Sequence, residues 1–189
     1  MISNKEILER YPFMCMADWN GNPIRDEDLI AFDEGVPQGW VECFGLLLCE
    51  DLDKALTEDQ KKRFYFIQAK EKWGRLTMYA NFYTDEVQKI LGHYAAFSEQ
   101  VCVHCGRVGV PTTNYGWIYP VCKECWDENQ ERLERELESW TKIPYEEATH
   151  EYSGFDPFYR YRSYKDGEWE NHEESIQYIY DRVDEKFKK

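Results

Sequence analysis

The chain has 189 residues, a formal net charge of -14, a mean hydropathy of -0.77 and 16% aromatic residues. That aromatic content supplies enough apolar surface for a buried core and excludes a wholly disordered chain, while the acidity argues against general binding to nucleic-acid phosphates. No run approaches the ~18 apolar residues of a membrane helix, and the opening stretch MISNKEILERYPF carries acids but no apolar signal segment, so a cytoplasmic protein without a membrane partner is expected.

Ser3 as N-cap and Glu6 as its capping-box partner predict a short helix over 3–10, stopped by Tyr11-Pro12. Residues 14–38 read as irregular, because Asn20-Gly21-Asn22-Pro23 is a turn cluster and Gly35, Pro37 and Gly39 break any regular run. A helix then spans about 40–56, with Trp40, Phe44, Leu47, Leu48 and Leu52 at helical spacing. Thr57-Glu58-Asp59-Gln60 caps a brief basic turn. Residues 64–70 and 75–83 read as strands of an antiparallel hairpin around Trp73-Gly74. A second helix starts at Thr84-Asp85, places Val87, Ile90, Leu91, Tyr94 and Phe97 on one face, and leads into the first cysteine pair. Phe44, Leu48, Ile67, Met78, Tyr79, Leu91 and Phe97 are expected to form the main core.

Trp117-Ile118-Tyr119 reads as a short strand before the second cysteine pair. A charged helix is expected over about 126–141, with Leu133, Leu137 and Trp140 as its apolar seam and Pro144 as its stop. On its surface Glu128 and Arg132, and Glu131 and Arg135, are spaced for pairing. Residues 145–170 are rich in aromatics, including Tyr152, Phe155, Phe158, Tyr159, Tyr161, Tyr164 and Trp169, with Asp166-Gly167 as a turn. A final helix over about 173–188 carries Ile176, Ile179, Val183 and Phe187 on one face. The expected fold class is α+β, a helix-packed antiparallel hairpin over 1–97 joined to a four-cysteine module of zinc-ribbon or treble-clef type over 98–126. An acidic, aromatic-rich helical extension over 127–189 follows; its net charge of -8 exceeds the -6 of residues 1–126 in half the length.

The strongest signal is Cys102-x-x-Cys105 and Cys122-x-x-Cys125, with sixteen residues between the pairs. Two such knuckles present four thiolates to one metal, and the spacing is that of a structural Zn2+ site. Four protein ligands close the coordination shell and leave no position for substrate, so the role expected of the metal is scaffolding. His104, inside the first knuckle, is a poorer ligand than the cysteines beside it. The chain has seven cysteines, an odd number that speaks against a disulfide framework, and Cys15, Cys43 and Cys49 read as small buried hydrophobes.

The other clusters are weaker. Lys70, Lys72 and Arg75 around the hairpin turn are phosphate-contact candidates for a nucleic-acid reading, joined by Arg107 and Lys123. The competing reading is a charged hairpin tip with Trp73 folded onto the sheet. Glu50, Asp51 and Asp53 lack a matching His or Lys and read as a solvated helix end. His93, His104, His150 and His172 form no motif, and the sequence holds no Gly-rich phosphate loop, nucleophile elbow or H-E-x-x-H. An enzyme is therefore not expected. Tyr159, Arg160, Tyr161, Arg162, Tyr164 and Trp169 are of the types enriched at interaction hot spots and are the candidate partner-binding residues.

Gly39-Trp40 before an apolar helix, the string Gln68-Ala69-Lys70-Glu71-Lys72-Trp73-Gly74-Arg75-Leu76, a C-x-x-C-G knuckle, Gly116-Trp117-Ile118 and a second C-x-x-C together resemble a group of small uncharacterised bacteriophage zinc-binding proteins. The likeness covers about 11–126; Trp73 stands where that group tends to have Phe, Thr77 where it has Arg, and 127–189 has no counterpart. The resemblance implies a phage origin and zinc binding. With the acidic C-terminal third and the closed metal site, it leads to the expectation of a non-catalytic accessory protein acting in the host cytoplasm. Such a protein binds a host or phage protein and antagonises a defence or nucleic-acid enzyme, including by acidic mimicry of DNA. The alternatives are a nucleic-acid-associated zinc protein and, further off, a metal-dependent enzyme.

Overall fold

The computed structural model of the chain describes residues 4–18, 20–24, 30–32, 35–114, 116–149 and 156–188, with Tyr164 described by its backbone alone. The capping residue Ser3, His150 and the rings Tyr152 and Phe155 lie outside the described residues. Helices and strands mix in an α+β arrangement, and among the described residues no helix is long and apolar enough to cross a membrane.

Helix α1 (Asn4–Arg10) buries Ile7 and hands over to a 3-10 turn at Pro12–Met14. The stretch expected to be irregular contributes two short strands, β1 (Met16–Ala17) and β2 (Pro23–Ile24). Two-residue strands show no alternation to read. What joins them is the Asp18 carboxylate, which accepts the backbone N–H groups of Asn20 and Asn22 at 2.8 Å each. With β3 (Phe66–Lys72) and β4 (Arg75–Ala80) they form a sheet in the order β2-β1-β3-β4, parallel only between β1 and β3.

The β3–β4 hairpin corrects two expectations. Its register shifts between Phe66 and Gln68, so Phe66 and Ala69 face the core while Ile67 is 55% exposed. Tyr79, its partner strand's expected core ring, is exposed as well. At the tip Trp73 and Gly74 both have positive φ (57° and 80°), which matches the twist of a two-residue hairpin. Trp73 projects from that turn and is 72% exposed rather than folded onto the sheet.

The first core lies between this sheet and two long helical segments. Helix α2 (Gln38–Trp40) runs through a π turn at Val41–Gly45 into α3 (Leu46–Ala55), and a Thr57/Gln60 capping box opens α4 (Glu58–Lys61). Helix α5 (Asp85–Ser98) begins at Thr84, whose hydroxyl accepts the Val87 N–H. Phe44 meets Tyr94 and Phe97 at ring-centroid distances of 5.7 and 5.6 Å. The buried face of α5 is the expected one, with Leu91 at its half-buried margin. Cys15, Cys43 and Cys49 are buried, as expected, and burial pushes the Cys43 thiol up to about 12.

A second, smaller core holds Cys102, Val110, Val121, Cys122, Trp126 and Ala148. It is enclosed by the hairpin β5 (Thr112–Asn114) and β6 (Ile118–Pro120), by α6 (Lys123–Glu136) and by α7 (Tyr145–Ala148). Helix α6 buries Trp126 and Gln130, not the expected seam: Leu137 is exposed. The reason is polar. Gln130 Oε1 accepts from Trp140 Nε1 (3.0 Å) and Ile143 N (3.1 Å), and Trp126 Nε1 donates to Ile143 O (2.8 Å), which folds 137–144 back along the helix. Arg132 pairs with Glu136 and Glu131 with Lys142, in place of the expected pairs. Pro144 starts α7 instead of stopping α6.

The C-terminal segment is not wholly helical. Strands β7 (Phe158–Lys165) and β8 (Glu168–Ser175) form a hairpin through Asp166-Gly167, and the last helix, α8 (Gln177–Phe187), begins later than expected. Ile176, Ile179, Tyr180 and Val183 join the first core, with Tyr180 edge-on to Phe97 at 4.6 Å, while Phe187 is exposed. Two polar clasps hold this return. Arg182 donates to both carboxylate oxygens of Asp51 (2.7 and 2.6 Å) and to Glu50 (2.8 Å), and Tyr94 donates to Asp51 (2.7 Å). Lys186 Nζ donates to the carbonyls of Glu42 and Cys43, inside the π turn. Two of the acids read as a solvated helix end, Glu50 and Asp51, are thus partners of α8, with Asp51 only 12% exposed, while Asp53 pairs with Lys61 of α4 at 2.8 Å.

Buried His93 is the other tie. Its Nε2 lies 3.2 Å from Glu174 and its Nδ1 3.3 Å from the Tyr178 hydroxyl. A carboxylate only accepts, so neutral His93 carries its proton on Nε2 and accepts from Tyr178. Burial holds His93 below its ordinary value of 6.5, against the opposing pull of Glu174.

Arg182→Met is expected to lower stability by about 3 kcal/mol in urea denaturation, because it takes both guanidinium bonds from the mostly buried Asp51 and leaves it the Tyr94 hydroxyl and Lys54; Arg160→Met, in two exposed pairs, should change the midpoint little. An unfolded histidine takes its proton near 6.5 and folded His93 only at lower pH. The stability held by neutral His93 is therefore full above about pH 6.5 and lost as pH falls through the folded value. The urea midpoint of His93→Gln should accordingly fall less than that of the parent between pH 7.5 and 5.5.

Candidate metal centre

The two cysteine pairs are presented by different backbone devices. In the first, Gly106 N donates to Cys102 O (3.0 Å) and Cys102 N to Arg107 O (2.8 Å), so the turn is closed between the bridged residues Val101 and Val108. Gly106 has φ +73, a conformation that only glycine adopts cheaply. In the second, Cys122 is the N-cap of α6 and Cys125 lies in its first turn, with Trp126 N donating to Cys122 O at 3.0 Å. The positive end of α6 therefore faces the sulfurs, which favours thiolate.

The four Sγ atoms all lie within 4.8 Å of one another, and all four cysteines are unbridged. Sγ of Cys105 and Cys122 are 3.7 Å apart. A tetrahedral ion with sulfur at ~2.3 Å requires sulfur–sulfur edges of about 3.8 Å. A disulfide would need about 2.05 Å. The group can hold a metal ion as it stands. Cys102 is buried, which raises its thiol, yet the N–H groups of Cys105, Cys122 and His104 outweigh this and hold it below the usual thiol value. Cys122 N approaches that sulfur at 3.4 Å. Burial raises the Cys122 thiol to about 11, so loading must expel its proton. Arg107, after the first pair, and Glu124, within the second, form an ion pair that straps the two knuckles and pulls the Glu124 carboxyl down to about 2. His104 is outside the group of four, exposed, with its ring edge-on to Tyr119 at 6.1 Å.

The centre is fastened to the first core at the start of α2. Gly39 N donates to Val103 O (3.0 Å), and buried Trp40 donates its indole N–H to Val101 O (2.8 Å). The approach is so close that a Cβ on Gly39 would lie 2.4 Å from Cys102 O, and one on Gly106 would lie 2.6 Å from Gly39 O. The β3–β4 tip adds a third support, since a Cβ on Gly74 would touch Pro120 and Tyr119 at 3.3 and 3.4 Å.

The remaining candidates do not gather at the centre. Arg75 is paired with Glu99, Arg107 with Glu124, and Lys123 with Asp127 and Glu146, so three of the five basic candidates already face the chain's own carboxylates. Lys70 and Lys72 lie on β3 behind the tip. The pleat of β7 divides the aromatic candidates. Tyr159 and Tyr161 stack on each other (5.1 Å) and continue to His172 and His93. On the other face Arg160 pairs with Asp156 and Glu173, and Arg162 lies 5.3 Å over the 60% exposed Trp169. Tyr164 is in β7, across from Trp169. Sequence reasoning passed over the cluster of His93, Glu174, Tyr178 and Arg182, whose C-terminal members are 81 to 132 positions from the α3 and α5 residues they meet; no local spacing reveals it.

The chain matches no protein-family model, no curated protein and no solved structure.

Gly106→Ala is expected to weaken metal retention and lower the thermal midpoint, through both backbone strain and overlap with Gly39 O. Gly116→Ala meets the same strain at φ +82 but open space, and should cost about 1 kcal/mol while leaving metal retention intact. Metal content after dialysis and thermal melts of the two variants check this.

Proposed function

We propose that the chain is a non-catalytic protein-interaction module built on a structural Zn2+ centre of treble-clef type. Four thiols, one pair on a tight turn and the other in the first turn of a helix, with a β hairpin between them, support that arrangement over a ribbon, in which both pairs sit on hairpin turns. An all-thiolate, four-ligand set suits Zn2+ and leaves no open position for substrate. When bound, zinc supplies cross-linking free energy to the module.

The observation that carries the interaction reading is the display of three tryptophans at ordered turns and strand ends: Trp73 is 72% exposed, Trp117 67% and Trp169 60%. Tryptophan is costly to leave in water and is enriched where partners anchor. Arg162 over Trp169 adds the other favoured hot-spot type. Acid mimicry of DNA has less support, because Arg132 and Lys142 intersperse the acids of α6. In line with the likeness to the bacteriophage group, the partner is a host or phage protein.

Purified protein is expected to carry one zinc per chain by elemental analysis, and a chelator should loosen 98–149 while α3 and α5 stay protected in hydrogen exchange. A tagged chain should recover a stoichiometric protein from infected cells, and Trp73→Ala with Trp169→Ala should lose it. Recovery of no protein, or of nucleic acid with a steep salt dependence, would overturn the reading.

A further inference from the structure

A cavity of about 560 Å³ lies against the metal centre, where four separate parts of the chain meet. Its floor is apolar, from Val36 and Val103; its walls are Pro37, His104, Trp117 and Tyr119; and Glu71 of β3 closes one side. Its backbone surround is held by three contacts: Gly39 on the first knuckle, the β3–β4 tip beside β6, and the N–H of Glu71 on Gly35 O (2.7 Å). A preformed site loses little on binding.

Its chemistry is one-sided. Trp117 offers most of an indole to solvent, and the His104 and Tyr119 rings meet edge to face at 6.1 Å. Among the described residues no lysine or arginine lines the cavity. Glu71 uses Oε1 to accept the Gly74 N–H (2.6 Å), while Oε2 has no partner among the described residues. Aromatic faces beside one carboxylate, in a chain of net charge -14, select a cation with a flat, weakly hydrated surface, and the guanidinium is the side chain that stacks on indole and pairs with carboxylate together.

We propose that this groove receives an arginine side chain from a basic segment of the partner protein, stacked on Trp117 and paired with Glu71. The inference rests on the interaction reading above and names the chemistry of the partner at one site.

The test titrates zinc-loaded, full-length protein with the blocked peptide acetyl-Arg-Gly-Arg-Gly-Arg-amide, followed by calorimetry and by backbone amide and indole N–H shifts in NMR. Saturable binding is expected, with shifts confined to the residues of the groove. The citrulline version, which keeps shape and loses charge, should bind at least tenfold more weakly, and the lysine version several-fold more weakly. Trp117→Ala and Glu71→Gln should each weaken the arginine peptide at least fivefold. Glutamine keeps the oxygen that accepts Gly74 N–H, and Trp117 is mostly exposed, so both variants should retain metal and fold, which their spectra show directly. Trp169→Ala should bind the peptide as the parent does. Unsaturable binding, equal binding of the citrulline peptide, an unchanged affinity in Glu71→Gln, or tighter binding of a proline-rich peptide without cations would overturn the proposal. Absence of peptide binding while a protein partner is still recovered through Trp73 and Trp169 would remove the groove and leave the interaction reading standing.

Discussion

Two backbones touch where the helix of the first core meets the first cysteine turn, at Gly39 and Gly106, and much of the molecule is arranged around that contact. Neither residue admits a Cβ without overlap. Because of it, Cys102 and Cys105 are positioned by the first core, with Trp40 reaching past them to Val101 O. Cys122 and Cys125 arrive from the other side on α6. A metal held between the pairs therefore ties α6 and the small second core to the large one. Its binding free energy acts on that junction rather than on the sheet and α5, which have their own apolar packing.

The C-terminal return closes the same helix from behind. The π turn at Val41–Gly45 lies two residues beyond Gly39 and displaces carbonyls from their usual helical partners. Lys186 of α8 donates to two carbonyls of that turn, those of Glu42 and Cys43, while Arg182 holds the next turns through Glu50 and Asp51. One helical segment, 38–55, thus carries the metal knuckle at its start and the last helix of the chain along its length. The β7–β8 hairpin is fixed less broadly, through Tyr159 against His93 and through Glu174 with Lys89 and His93.

The parts legible in the sequence were those whose signal is local. The cysteine spacing located the four sulfurs, Thr57–Gln60 was read as a capped turn where α4 stands, the Thr84 cap marked a helix start, and the Phe44–Leu52 and Val87–Phe97 periodicities marked buried faces. The β7–β8 hairpin was missed: only its Asp166-Gly167 turn was read, and the extension was expected to be helical, although Tyr159, Tyr161 and His172, Glu174 alternate on either side of that turn. The density of aromatics masked that alternation. Other features had no local sign. A one-residue bulge near Ile67 reverses which side chains face inward. Gln130 displaces Leu133 and Leu137 as the organiser of α6 because its partners, Trp140 and Ile143, lie beyond the helix. The Arg182–Asp51 clasp spans 131 positions. The Gly39-Trp40 pair looked like a helix start, and its second role against the cysteine turn follows only from tertiary contact.

Trp73 brings these constraints to bear on function. A two-residue turn of this kind is served best by Asn or Gly, and a bulky residue at positive φ costs about 1 kcal/mol or more. The ring recovers none of that by burial, since it is 72% exposed. A Cβ on its neighbour Gly74 would come within 3.3 Å of Pro120 and 3.4 Å of Tyr119, so the turn runs close beside the metal module. A side chain that is strained, exposed and held in place contributes little to folding, and its contribution is to be sought in what it meets. Trp117 immediately precedes β6, the strand beside the tip, and lines a groove walled by the first knuckle. The four sulfurs lie behind that wall, since Val103 and His104, which line the groove with Trp117, sit between Cys102 and Cys105.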